Sequence, residues 1–200
     1  LSTIMVNKVD FDDFKANRIL SSQKVGPTIA DDIKASAIMS IIFSLVIIFV
    51  YILIRFRKWN YALGASLALL HDILFVLAIF SLIWPIMPFS MEIDQAFIAA
   101  ILTIIGYSIN DTIVVFDRIR EMFRKLREAT VEETVNDAIT STLSRTTITS
   151  GTTALSLVAL FYLGGPLLHG FAAALLFGIA IGTYSSIYVA SSIAVLLGAS

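Results

Sequence analysis

Five long apolar runs dominate the hydrophobic pattern of the chain. They cover residues 35–54, 61–83, 96–116, 146–163 and 170–197. A helix of about 20 apolar residues is long enough to cross the roughly 30 Å hydrocarbon core of a bilayer. The pattern therefore predicts an all-α polytopic membrane helix bundle with five transmembrane helices, over residues 35–200. The fourth run is the least apolar, because its first third is rich in threonine and serine.

Two segments outside these runs are polar. Residues 1–34 mix five basic and five acidic side chains and suggest the end of a water-soluble domain. Residues 117–145 begin with an amphipathic pattern, which predicts that the third helix continues along the membrane surface. Further on, Thr130-Val-Glu-Glu133 has the capping-box pattern that starts a second helix. We therefore expect 117–145 to be a cytoplasmic amphipathic loop between spans three and four.

The basic residues indicate which loops face the cytoplasm. Three Lys or Arg residues follow the first run and five follow the third, whereas segments 84–95 and 164–169 contain none. Short cytoplasmic loops carry an excess of Lys and Arg. This asymmetry predicts that the N-terminal part is extracytoplasmic and that the C-terminus is cytoplasmic.

Composition argues against several functional classes. Of the 200 residues, 58% are hydrophobic and 14% are charged, and the mean hydropathy is +0.88, which is far from the composition of soluble domains. There is no cysteine and there are only two histidines, far apart in sequence, so no metal site of recognisable spacing is predicted. The sequence lacks a catalytic-triad spacing, a phosphate-binding loop and a basic nucleic-acid patch. We therefore expect neither an enzyme, nor a cofactor, nor a nucleic-acid partner.

Polar residues interrupt the third run near its end. Asp111 lies about six residues, or roughly 9 Å of helix, inside the boundary with water. An ionisable side chain at such a depth costs roughly 2.5–3.5 kcal/mol on insertion. Thr103, Tyr107, Asn110 and Asp111 fall within about 100° on a helical wheel, which predicts one polar face for this span. The cost indicates that Asp111 has a partner or a function.

Arg145 is the predicted partner of Asp111, because it opens the fourth span at about the same depth. A nearby guanidinium favours the ionised aspartate, whereas burial in lipid favours the neutral form. Relative movement of the two spans would therefore let Asp111 bind and release a proton. This interpretation predicts an ion-coupling site of Asp111, Arg145 and Asn110. The alternative is a static ion pair that only holds two spans together.

His71 and Asp72 form a second polar pair, in the middle of the second run. Adjacent residues of a helix point about 100° apart, so the two side chains face different surroundings. One interpretation gives both residues a direct part in a proton relay. In the alternative, one residue makes a hydrogen bond across helices while the other faces a cavity.

Small residues mark the predicted helix contacts. In the fifth run a small residue recurs every four positions from Gly170 to Gly198, and the series includes Gly178 and Gly182. This spacing lets neighbouring membrane helices approach closely. Gly106 in the third run is expected to admit a neighbour in the same way.

Several of these segments resemble one family. The matching residues are Val25-Gly26-Pro27, Ala68-Leu69-Leu70-His71-Asp72, residues 104–120, Thr142-Leu143-Ser144-Arg145-Thr146, Gly164-Gly165 and Gly182-Thr183-Tyr184-Ser185-Ser186. They resemble the SecF proteins, or the SecF half of fused SecDF proteins, of the resistance-nodulation-division superfamily. The resemblance covers nearly all of residues 25–197. In this family the functional carboxylate falls on Asp111 and the functional arginine on Arg145.

The resemblance also implies a function and partners. It implies an accessory subunit of Sec protein export that works with SecD, separate or fused, and with the Sec translocon channel on unfolded preprotein. The implied driving force is the proton motive force, or sodium in some species, and the implied location is the bacterial cytoplasmic (inner) membrane, in contact with lipid. Residues 1–34 would be the remnant of an extracytoplasmic α+β domain, and the five spans the last five of six.

Two other functions fit the same residues. One is a structural membrane scaffold, in which the polar side chains only fix helix packing. The other is a small-molecule exporter of the same superfamily.

Overall fold

The computed structural model describes residues 27–87, 89, 91, 93–125 and 129–199. Its helices are α1 (Pro27–Phe56), α2 (Trp59–Ile83), α3 (Gln95–Lys125), α4 (Val131–Leu163), a 3-10 turn (Pro166–Leu168), α5 (His169–Tyr184), a π-helical segment (Ser185–Ala190) and α6 (Ser191–Leu196). The last four of these elements, from the 3-10 turn at Pro166 to the end of α6 at Leu196, follow one another without a break and form a fifth span. Five helices are thus long and apolar enough to cross a membrane, which confirms the predicted all-α, five-span bundle.

The chain divides into two compact units, Leu1–Ser36 and Ala37–Ser200. In the first unit the structure describes only residues 27–36, which are the opening turns of α1. The predicted remnant domain, residues 1–34, therefore lies almost wholly outside the described residues. The second unit contains the rest of the helices.

Helix α4 begins where the sequence predicts and extends further than expected. The Thr130 hydroxyl accepts a hydrogen bond from the Glu133 N–H at 3.3 Å, and the Glu133 carboxylate accepts one from the Thr130 N–H at 3.0 Å, so the capping box is present. From Val131 the helix runs without interruption to Leu163. The helix after the capping box and the fourth span are therefore one element, and no loop separates them at residue 145.

Threonine hydroxyls explain why this polar stretch stays helical. Thr149 donates to the Arg145 carbonyl at 2.9 Å and Thr153 donates to the Thr149 carbonyl at 2.9 Å. A hydroxyl that bonds the carbonyl one turn earlier needs no partner outside its own helix. The polar beginning of the fourth run therefore does not end the helix.

The fifth span is the centre of the bundle. Helices α2, α3 and α4 all pack against it, and α3 also packs against α2 and α4. Helix α1 lies at the periphery, with most of its apolar side chains exposed, although Ile52 and Phe56 are buried. Phe56 packs with Tyr61 and Phe116 in an aromatic cluster with ring centroids 4.9–5.8 Å apart, which ties the α1–α2 turn to α3.

Two glycines of the fifth span allow close contact with α3. A Cβ atom on Gly178 would collide with the buried Ile104 side chain, and one on Gly182 would lie 3.2 Å from the Ser108 Cβ. Gly106 differs from them, because it is exposed and an added Cβ would meet no described atom within 4 Å. Within the described part of this chain, Gly106 therefore does not mark a helix contact.

We expect the substitution Gly178→Ala to destabilise the bundle by about 1–3 kcal/mol, because the new methyl group overpacks the site of Ile104. The measurement is thermal or denaturant unfolding of the purified protein in detergent. Gly106→Ala is the matched control and should be neutral or slightly stabilising, since it adds the same methyl group in open space. Equal stability of the two variants would contradict the contact.

Candidate functional site

Asp111 lies in the interior of the bundle, where α3, α4 and the fifth span meet. Its side chain is 4% exposed. Ser150 of α4 donates a hydrogen bond to its carboxylate at 3.4 Å, and the Ser150 and Thr183 hydroxyls are 2.6 Å apart. A carboxylate from one span is therefore linked through hydroxyl groups to the two neighbouring spans.

Tyr107 completes this group one turn before Asp111 on the same helix. Its hydroxyl lies within hydrogen-bonding distance of Ser150 and of Thr153, at 3.4 Å in each case. We call Tyr107, Asp111, Ser150, Thr153 and Thr183 the Asp111 cluster. All its members other than Asp111 are neutral hydroxyl groups, which can either donate or accept a hydrogen bond.

Arg145 is not in contact with Asp111. It is exposed, and no ion pair within 4 Å joins the two side chains in the described part of the chain. It acts on the Asp111 carboxylate only through space. The helix explains the separation, since Ser150, which does touch Asp111, lies five residues or about 7.5 Å further along α4. Asn110 is also exposed, so it points away from the cluster.

Asp72 forms a second buried group, between α2, α3 and the fifth span. Its side chain is 1% exposed. Ser108 donates to one carboxylate oxygen at 2.8 Å, and Ser185 of the fifth span, whose hydroxyl donates to the Gly182 carbonyl of its own helix, lies nearby. The other oxygen lies 3.3 Å from Nδ1 of His71, whose side chain is 40% exposed. The structure thus brings His71 and Asp72 together, with the histidine at the surface of the bundle.

Further hydroxyls extend this group along α3. Thr112 donates to the Ser186 hydroxyl at 2.9 Å, and Ser186 donates to the Ser108 carbonyl at 3.1 Å. We call His71, Asp72, Ser108, Thr112, Ser185 and Ser186 the Asp72 cluster. The two serines of the fifth span lie at the start of the π-helical segment. The wider π turn inserts an extra residue into the helix and rotates the side chains on its two sides relative to each other.

Helix α3 therefore has two polar faces. This corrects the prediction of a single polar face for this span. Tyr107 and Asp111 point towards α4, whereas Ser108 and Thr112 point towards α2 and the fifth span. Each pair is separated by four residues, and the pairs are about 100° apart around the helix. The i, i+4 spacing of Ser108 and Thr112 was visible in the sequence, but the hydroxyl partners on other spans were not.

Both clusters can keep a carboxyl group hydrogen-bonded in either of its protonation states. No group of three or more His, Asp or Glu side chains that could hold a metal ion occurs in the described ranges. Each cluster instead has one buried carboxylate with hydroxyl neighbours. Because a hydroxyl can donate to an ionised carboxylate and accept from a protonated one, both protonation states can be hydrogen-bonded.

Comparison with known proteins agrees with this architecture. The family model described as protein export membrane protein SecD/SecF, C-terminal, matches residues 5–200. Protein translocase subunit SecF of Rhodothermus marinus is 56% identical over 181 residues, which are 90% of this chain and 58% of that protein. The SecF subunit of Vibrio alginolyticus is 51% identical over 174 residues, covering 87% of this chain and 53% of that protein. The chain thus spans little more than half the length of these relatives.

Solved structures show the same fold. The crystal structure of SecDF, a translocon-associated membrane protein from Thermus thermophilus, superposes with a TM-score of 0.78 at 44% identity, over 86% of this chain and 23% of that one. SecDF in its super-membrane-facing form gives a TM-score of 0.76 at 39% identity, over 93% and 25% of the two chains. The chain belongs to the SecD/SecF family of protein export membrane proteins.

Proposed function

We propose that this chain is the membrane-embedded part of a SecF-type accessory subunit of the Sec protein-export machinery. A proton gradient, or a sodium gradient, drives movements of the bundle that help to draw unfolded preprotein across the bacterial cytoplasmic membrane from its outer face. The partners are SecD, separate or fused, and the translocon channel. A SecDF protein of Thermus thermophilus, 45% identical over 177 residues, supports the first partner. No cofactor beyond the coupling ion is needed.

The position of Asp111 carries this proposal. Its carboxylate is buried among three spans and touches a neutral hydroxyl rather than a cation. Binding or release of a proton there changes the charge inside the bundle, where the local dielectric is low and the charge is felt strongly. A single proton therefore alters the interactions of α3 with both α4 and the fifth span.

We further propose that Arg145 approaches Asp111 in another arrangement of the bundle. The guanidinium is free of an ion pair with Asp111 in this structure and lies on the same helix as Ser150. A shift of α4 by about five residues' rise, roughly 7.5 Å, would bring it level with the carboxylate. The two arrangements differ in the charge next to Asp111, which is what couples ion binding to movement.

The orientation follows from the basic residues. They lie at the α1–α2 turn and from the last turns of α3 into its connection with α4, so we place both of these regions on the cytoplasmic side. The α2–α3 connection then lies on the outer side, as does the start of α1. Translocation assistance from the outer face fits an extracytoplasmic N-terminal part.

A pair of double variants separates this proposal from a structural scaffold. With Asp111→Asn and Arg145→Met together, we expect gradient-dependent preprotein translocation to fall to the level without a gradient, measured in membrane vesicles carrying the full-length protein. A scaffold predicts unchanged translocation, since asparagine keeps a neutral polar group at the buried position of Asp111 and Arg145 is exposed.

The matched control changes the ion pair Arg55–Asp117 in the same way, to Met and Asn. That pair is 2.9 Å long and its side chains are more than 40% exposed. Exposed pairs contribute only about 0–1 kcal/mol, so this control should translocate normally. Equal activity of the two double variants would favour the scaffold.

A further inference from the structure

The Asp72 cluster is separate from the Asp111 cluster. The first joins α2 to α3 and the fifth span, and the second joins α3 to α4 and the fifth span. Thr112 and Asp111 are neighbours in sequence but bond to different partners. The bundle therefore holds two buried carboxylates on two sides of the same helix, each with its own hydroxyl groups.

The Asp72 cluster differs from the Asp111 cluster in one respect. In it, a titratable side chain contacts the buried carboxylate and is also partly exposed at the surface of the bundle. His71 is the titratable partner of Asp72 among the described residues, since the partner that α3 offers the carboxylate is the Ser108 hydroxyl. Its ring stacks on Phe75, 6.2 Å between centroids, and its side chain is 40% exposed at the surface of the bundle. One oxygen of the buried carboxylate is therefore paired with a titratable side chain that reaches the bundle surface.

The serines hold this carboxylate within a connected set of short hydrogen bonds. Ser108 binds Asp72 at 2.8 Å, and its own backbone carbonyl accepts from Thr112 at 3.0 Å and from Ser186 at 3.1 Å. Gly182 leaves room for this arrangement, because a Cβ there would lie 3.3 Å from the Ser108 hydroxyl oxygen. A change in the protonation state of the carboxylate therefore affects hydrogen bonds of both α3 and the π-helical segment.

We propose that Ser108 and Ser186 are positioning residues of a second proton-binding centre, in which Asp72 receives its proton from His71. In this step the Nδ1–H bond of the imidazolium breaks and an O–H bond forms on the Asp72 carboxylate, leaving neutral imidazole and neutral carboxylic acid. The protonated carboxyl no longer needs the Ser108 donor, so the contact of α2 with α3 changes, and with it the hydrogen bond of Ser108 to Ser186 of the fifth span. The inference rests on the proposed ion-driven function and adds a second site to it.

The test follows the carbonyl stretching band of protonated carboxyl groups by infrared difference spectroscopy on the full-length protein in proteoliposomes. Asp72→Asn and Asp111→Asn assign the two bands. We expect Ser108→Ala to strengthen proton binding at Asp72 about tenfold, because the carboxylate loses a donor that favours its ionised form. Ser186→Ala should change proton binding in the same direction by less, because Ser186 donates to the Ser108 carbonyl and acts on the carboxylate only through Ser108. His71→Gln should slow the appearance of the Asp72 band, and the Asp111 band should stay unchanged in all three variants.

Ser191→Ala is the matched control. Ser191 is a buried serine of the same span that donates to the Ile187 carbonyl of its own helix. If both serine variants titrate like this control, or if the Asp72 band is insensitive to pH and to His71→Gln, the second centre is refuted. Should Ser108→Ala fail to fold, Ser186→Ala and His71→Gln decide the question alone. Failure of the proposed function is a different result, namely normal gradient-dependent translocation by Asp111→Asn.

Discussion

Replacing Asp111 with asparagine is expected to abolish the gradient-dependent part of preprotein translocation. Asparagine keeps the size of the side chain and an oxygen that can accept from Ser150, so the free energy of unfolding should change by no more than about 1 kcal/mol. It cannot bind a proton, and this is the property that the mechanism requires. The measurement is translocation of a preprotein into vesicles containing the full-length protein and SecD, with and without an imposed gradient.

The control for this variant is Asp117→Asn. Asp117 is an aspartate of the same helix, about one and a half turns later, but it is exposed and paired with Arg55 at 2.9 Å. It should retain gradient-dependent translocation. Copurification of each variant with SecD shows whether assembly is intact. Translocation by Asp111→Asn that still responds fully to the gradient would exclude Asp111 as the coupling residue.

The substitution Asp72→Leu is expected to destabilise the bundle by about 1–3 kcal/mol. The carboxylate is buried and accepts a hydrogen bond from Ser108 of α3 at 2.8 Å. Leucine removes the acceptor and leaves this hydroxyl in an apolar site, and an unsatisfied buried polar group costs about 1–3 kcal/mol. Denaturant unfolding in detergent micelles measures the effect.

Asp117→Leu is the control for this second variant. Asp117 is an aspartate of α3 whose side chain is 41% exposed rather than buried, and its ion pair with Arg55 is exposed as well. Exposed pairs contribute only about 0–1 kcal/mol, so the free energy of unfolding of this variant should stay close to that of the unsubstituted protein. Stability of Asp72→Leu equal to or above that of Asp117→Leu would mean that Asp72 contributes nothing to packing.

The structure also changes how the intramembrane charges are understood. From the sequence, Asp111 and Arg145 are natural partners, because both are predicted to lie at about the same depth. In the folded bundle the residue that reaches Asp111 is Ser150, which lies about 7.5 Å further along α4 than Arg145, and Arg145 is exposed. Depths read from the ends of apolar runs do not determine contact, because the offset and rotation of each packed helix decide which side chains face each other.

The sequence by itself determines the spans and the depth of the polar residues. Transfer of a side chain from water to hydrocarbon is a local quantity, so runs of apolar residues predict five membrane helices without knowledge of their neighbours. The capping box at Thr130 is local for the same reason, since its donors and acceptors lie three residues apart.

Only the tertiary structure decided which polar groups meet. Ser108 and Asp72 are 36 residues apart, and Ser108 and Ser186 are 78 apart, so their contact depends on how three spans pack and rotate against one another. The π-helical segment at Ser185 is a property of the packed helix rather than of its local sequence pattern. The continuity of α4 through residue 145 was also settled there, because the predicted boundary between loop and span lies inside one helix that runs from Val131 to Leu163.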